Sequence, residues 1–114
     1  MTTIYKICLA DLWLKAAAEG VFRGAGVDLA DGFIHFSTAE TVKETAARHF
    51  AGVAGLVLVA FDDLSLGPEL RYEPSRGGAL FPHLYGRLDP TAALWVRPLP
   101  LAEDGRHIFP DLAP

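Results

Sequence analysis

The chain is poor in sulfur, with one cysteine and one methionine in 114 residues. A lone thiol cannot close an internal disulfide, so a reducing, cytoplasmic setting is expected. Cys8 lies in the alternating run Ile4-Tyr5-Lys6-Ile7-Cys8-Leu9 and reads as a small apolar strand residue. A reactive thiolate would need a positive, partly exposed setting. Long apolar runs are missing too. The stretch near Leu56 to Phe61 is far short of the ~20 residues that span a bilayer, and the N-terminus has no signal-peptide pattern, so no membrane partner is expected. Nor is there a basic stripe. The ten Lys and Arg residues are scattered from Lys6 to Arg106 in a chain of net charge -4, so nucleic acid is not an expected partner. There is no internal repeat or low-complexity linker.

What is present is a globular composition, 51% hydrophobic and 21% charged. Residues 1–114 are expected to form a single domain with one core, with 109–114 a loose C-terminal tail. Thr3 to Leu9 alternates as a first strand, and Leu9 to Glu19 carries Leu12, Trp13, Ala16 and Ala17 at helical spacing before Gly20. Val21 to Gly32, with three glycines, Asp28 and Asp31, reads as loop. Gly32 to Ser37 is a second strand. A helix is expected from about Thr38 to Phe50, with Ser37-Thr38-Ala39-Glu40 as a capping box. Gly55 to Phe61 reads as a central strand buried on both faces. Leu70 to Glu73 and Leu94 to Leu99 are further strands, the last near an edge because of Pro98. Short strands with two main helices early in the chain predict an α+β fold: a mixed, bent, split sheet with the helices on one side.

The chemistry concentrates in three segments. Strand alternation puts Phe33, His35 and Ser37 on one face, with Ser37 opening a helix whose N–H groups would suit an anion. Arg71 and Glu73 share a face, and Glu73 could act as a general base or grip a sugar hydroxyl. Arg76-Gly77-Gly78 could close over a ligand, although it matches no phosphate-loop fingerprint. In Phe81-Pro82-His83-Leu84-Tyr85-Gly86, His83 and Tyr85 point the same way in extended chain. His49 reads as a packing residue and His107 as solvated.

Taken in order, Thr2-x-Ile4-Tyr5-Lys6-Ile7, Asp31-Gly32-Phe33-Ile34-His35-x-Ser37-Thr38, Arg71-Tyr72-Glu73 and Phe81-Pro82-His83-Leu84-Tyr85-Gly86 resemble the bacterial family called domain of unknown function 952. The resemblance implies the split sheet of the ADP-ribosyltransferase superfamily, and with it a nucleotide-binding ancestor and NAD as a candidate cofactor. It also implies that His35 and Ser37 match the strand histidine and following hydroxyl that grip a ribose, and that Tyr85 stands where an aromatic ring stacks on nicotinamide. The chain departs from that pattern at the late catalytic glutamate. The only glutamate after Tyr85 is Glu103, whereas Glu73 precedes it.

The leading expectation is a protein that binds or acts on a nucleotide-like or phosphorylated small molecule, a transferase among the candidate activities. Glu73 and His83 would be the acid/base pair, and His35, Ser37, Arg71, Arg76 and Tyr85 would bind the ligand in one concave pocket. Two alternatives are a non-enzymatic interaction domain, monomeric or homodimeric through the Trp95 strand, and a metal-dependent hydrolase with His35, His83 and Glu73 as ligands. No tight ligand spacing such as HxH supports a metal, so none is assigned.

Overall fold

The computed structural model describes residues 2–112, without the Arg76 side chain. Its centre is a long hairpin-like pair of strands distant in sequence. β1 (Thr3–Leu9) pairs antiparallel with β4 (Leu56–Asp62) along its whole length, from Thr3 opposite Asp62 to Leu9 opposite Leu56. β3 (Ser37–Thr38) flanks β1, and β7 (Trp95–Leu99) flanks β4, giving the order β3-β1-β4-β7. A second sheet has the order β2-β6-β5, formed by β2 (Ile34–His35), β6 (Leu80–Leu84) and β5 (Leu70–Pro74).

Alternation along β1 and β4 feeds two cores. Ile4, Cys8, Val59 and Phe61 face one way, against Trp13 and Ala16 of α1 (Ala10–Glu19) and the inner face of the second sheet. Tyr5, Ile7, Leu58 and Ala60 face the other way, against Val42 and Ala46 of α3 (Val42–His49). This accounts for the near-continuous apolar run of β4, which is central and covered on both sides. Each such fully buried Leu or Phe contributes about 1.5–3 kcal/mol.

The architecture is α+β, as expected, with three differences in arrangement. The described strand pairs are all antiparallel. The two main helices lie on opposite faces of the first sheet rather than on one. A third, short helix, α2 (Val27–Asp31), occupies part of the expected loop, entered through Gly24 and Gly26 at positive φ and ended by Gly32.

The expected capping box does not form. Ser37 and Thr38 pair with Tyr5 and Ile4 of β1, so their backbone is extended and α3 begins only at Val42. The Ser37 hydroxyl instead donates to Thr45 Oγ1 at 3.1 Å. His49 is exposed rather than packed. The tail is tied to the body as far as residue 112: Phe109 and Leu112 pack on the second core, and Tyr5 Oη donates to the Leu112 carbonyl at 2.9 Å. Trp95 is half-buried against Tyr5, ring centroids 6.0 Å apart, on an edge strand that carries Pro98. Among the described residues no helix is long and apolar enough to cross a membrane.

Candidate functional site

The second sheet positions the site. In its register His35 of β2 stands opposite His83 of β6, which stands opposite Arg71 of β5. Three polar side chains from three strands therefore form one transverse row. Glu73 lies two residues along β5 from Arg71, and Tyr85 two along from His83, so both project from the same face. The chain meets this sheet despite Pro82 in its central strand. That proline gives no N–H, but its carbonyl accepts from Phe36 N at 2.9 Å.

Rings cover much of the face. Phe33 lies 4.3 Å from His83, 4.5 Å from His35 and 5.0 Å from Tyr85, centroid to centroid, and the two imidazoles are 5.3 Å apart. The Arg71 guanidinium sits 5.2 Å from the centre of the Tyr85 ring, in cation–π range.

Two carboxylate systems hold the imidazoles. His83 Nδ1 is 2.8 Å from Glu73 Oε1, and the Tyr85 hydroxyl donates to that same oxygen at 2.6 Å. These bonds, from Tyr85 first and then His83, keep the Glu73 carboxyl below its ordinary range, and the bond to Glu73 pushes the Tyr85 phenol up. His83 is 6% exposed, yet nothing among the described residues hydrogen-bonds its Nε2, and no buried side-chain polar atom lacks a partner. Nε2 therefore remains in reach of solvent.

His35 is held differently. Its Nδ1 is 2.7 Å from Asp28 Oδ1, and its Nε2 is 3.0 Å from Asp31 Oδ2. Asp28 is 2% exposed and is paired with Lys6, which is also buried, Nζ to Oδ2 2.7 Å. Burial alone would raise the Asp28 carboxyl. The Lys6 charge and hydrogen bonds from Lys6, His35 N and Ala25 N outweigh it and hold the carboxyl below its usual value. Gly24 makes room for this. A Cβ there would lie 2.7 Å from the Asp28 Cβ.

Of the residues expected in the site, His35, Arg71, Glu73, His83 and Tyr85 come together. Ser37 does not. The chain crosses from the second sheet to the first at Phe36, so alternation breaks and Ser37 is buried beside Thr45. The Arg76 side chain lies outside the described residues. The expected concave pocket is not one of the two best-formed depressions among the described residues. The two best-formed depressions, about 280 and 250 Å³, lie elsewhere, one against Arg97, Ile108 and Phe109 and one against Gly20, Arg87 and Asp89.

Among the described residues no group of three or more His, Cys, Asp or Glu could hold a metal ion. His83 and Glu73 bond to each other rather than converging on a common point. Cys8 is buried in the core, and burial raises its thiol to about 11, the opposite of an activated nucleophile.

Lys6, Asp28 and Asp31 hold places in the site for which the sequence alone assigns them no role. The available signals were a lysine in an otherwise apolar alternating strand and two acids three residues apart in a glycine-rich stretch.

Comparison with known proteins agrees with this architecture and supplies no reaction. The sequence profile of "Protein of unknown function (DUF952)" matches residues 7–96. The crystal structure of CC0527 from Caulobacter crescentus is 48% identical, covers 94% of each chain and superposes with a TM-score of 0.91. The solution NMR structure of the same protein is 50% identical, covers 93% of this chain and 91% of that one, and has a TM-score of 0.83. A comparison with curated proteins finds no match. On this profile match and this identity, the chain belongs to the DUF952 family of proteins of unknown function.

Proposed function

We propose that the outer face of the second sheet binds a small molecule with a planar ring and an anionic group, of the nucleotide or NAD/ADP-ribose kind. One observation carries this reading. Phe33, His83 and Tyr85 form a ring platform, with Arg71 over one ring and the Glu73 carboxylate at its edge. A base or nicotinamide could stack on the platform, which is worth about 1–3 kcal/mol per base. Arg71 would meet a phosphate. Glu73 fixes the His83 ring through Nδ1 and leaves Nε2 to act as a base toward a bound group.

ADP-ribosyl transfer is the finer form of this reading, supported by the split sheet and by the strand His35. Weighing against it is the position of Glu73, ahead of the stacking Tyr85 rather than after it. A cytoplasmic setting suits the single, buried Cys8.

The test is a thermal-shift screen with NAD, ADP-ribose, nucleotides, sugar phosphates and glutathione. A ligand at 100 times its Kd adds roughly 2.7 kcal/mol of stability. A shift with NAD or ADP-ribose that disappears in His83→Ala supports the reading. No shift with any of these ligands moves the weight to an interaction domain.

A further inference from the structure

Tyr85, 37% exposed, is the most accessible ring of the platform. Its surroundings follow from strand order. β6, which ends just before it, runs between β2 and β5. Phe33, one residue before β2, meets the Tyr85 ring from one side, centroids 5.0 Å apart. Arg71 of β5 meets it from the other, its guanidinium carbon over the ring and 5.2 Å from the centre. Both flanks are therefore taken. Phe33 is fixed by further contacts with both imidazoles, so a ligand ring that stacks on Tyr85 has to take the place of Arg71.

Little holds Arg71 there. Among the described residues its exposed guanidinium makes no hydrogen bond and no ion pair, and its contact is the Tyr85 ring. Glu69 and Glu73 share its face of the strand by alternation. Glu73 Oε1, however, is taken by Tyr85 and His83, and the Glu69 carboxylate lies against Gly86, where an added Cβ would collide with it. An exposed cation–π contact shifts a population by only about two- to five-fold. A phosphate oxygen pair, which a guanidinium meets with two parallel N–H groups, is the stronger partner. The side chain that covers the ring is thus the one that a ligand's anion draws away.

We infer that Arg71 is a specificity-determining gate on Tyr85: in the free protein its guanidinium occupies the ring face, and a ligand anion draws it off so that the ligand's ring can stack in its place. A bare ring must displace Arg71 unaided, and a bare anion gains no stack. The site thereby selects molecules that carry a planar ring and an anionic group together. This inference rests on the reading that the face binds a small molecule.

NMR on the intact chain tests it, with adenosine as a ring without an anion and ADP-ribose as a ring with one. A proton over an aromatic face is shielded by the ring current. The Arg71 Nε–H signal of the ligand-free wild type should therefore lie upfield and move back in Tyr85→Ala, and saturating ADP-ribose should move it the same way. Arg71→Ala, at an exposed position, should bind adenosine about two- to five-fold more tightly than the wild type. It should bind ADP-ribose about ten-fold more weakly, because a charge-assisted hydrogen bond is lost. The opposite signs are the signature, since a merely structural role for Arg71 would move both affinities together. An unshielded Arg71 in the ligand-free wild type overturns the inference, and so does equal affinity of either ligand for the two proteins. If ADP-ribose binds the wild type while those results go against the gate, the small-molecule reading stands and the gate alone falls. If neither ligand binds either protein, the reading falls and the gate with it.

Discussion

His35 and His83 sit opposite each other on adjacent antiparallel strands, ring centroids 5.3 Å apart, and each directs its Nδ1 at a carboxylate from a different element. Asp28 comes from the short helix before β2, and Glu73 from the edge strand β5. Phe33 touches both rings. The site is thus assembled from segments up to 57 residues apart in sequence, Asp28 to Tyr85, and needs the second sheet intact.

Breaking the Lys6–Asp28 pair should cost heavily. Lys6→Met strands a buried carboxylate, and removing one partner of such a pair typically destabilises by about 3–5 kcal/mol. Urea unfolding should show a lower midpoint with an unchanged slope. A midpoint within error of the wild type would mean that Asp28 is not held as an ion.

The same carboxylate sets an acid limit. The folded pKa of Asp28 lies below its unfolded value, so its contribution is present above the unfolded value, near pH 4, and is lost as pH falls through the folded pKa. Stability should decline below about pH 4, and by less in Asp28→Asn than in the wild type. Parallel curves for the two proteins would contradict this.

All three tyrosines should resist ionisation. Burial raises Tyr5, with Glu40 and Asp111 adding to it. Burial and then the bond to Asp63 raise Tyr72 to about 12, and the bond to Glu73 raises Tyr85. A phenolate absorbance titration of the folded protein should show no step at the ordinary tyrosine value near 10. The raised values mean that folding stability is intact below about 10 and falls as pH rises from there toward the folded values. A full-amplitude step near 10 in still-folded protein would refute the hydrogen bonds.

Gly24→Ala should act on the site from outside it. The residue has φ +116°, and the added Cβ would press on Asp28. A strained backbone of this kind costs about 1–3 kcal/mol, and the push on Asp28 should disturb the His35 ring signals. Unchanged His35 signals would show that Gly24 does not set the seat of Asp28.

How far the chain could be read from its sequence differs from one element to the next. β4 was legible because a six-residue apolar run, Leu56 to Phe61, buried on both faces has few other uses. Pro98 correctly marked an edge strand. β6 was legible only as two side chains facing one way, because Pro82 argues against a central strand. Ser37 was misplaced because alternation holds within one strand, and the chain changes sheets between His35 and Ser37. Lys6 and Asp28 receive no site role from the sequence because each looks ordinary alone. Their meaning lies in a buried pairing across 22 residues that only the fold creates.

The central claim is that the ring platform stacks a planar ligand, and calorimetric titration of ADP-ribose into wild type and Tyr85→Ala tests it most directly. Saturable binding to the wild type should weaken in the variant by the about 1–3 kcal/mol that one stacked ring contributes. No heat of binding to the wild type, or equal affinity in Tyr85→Ala, would contradict it.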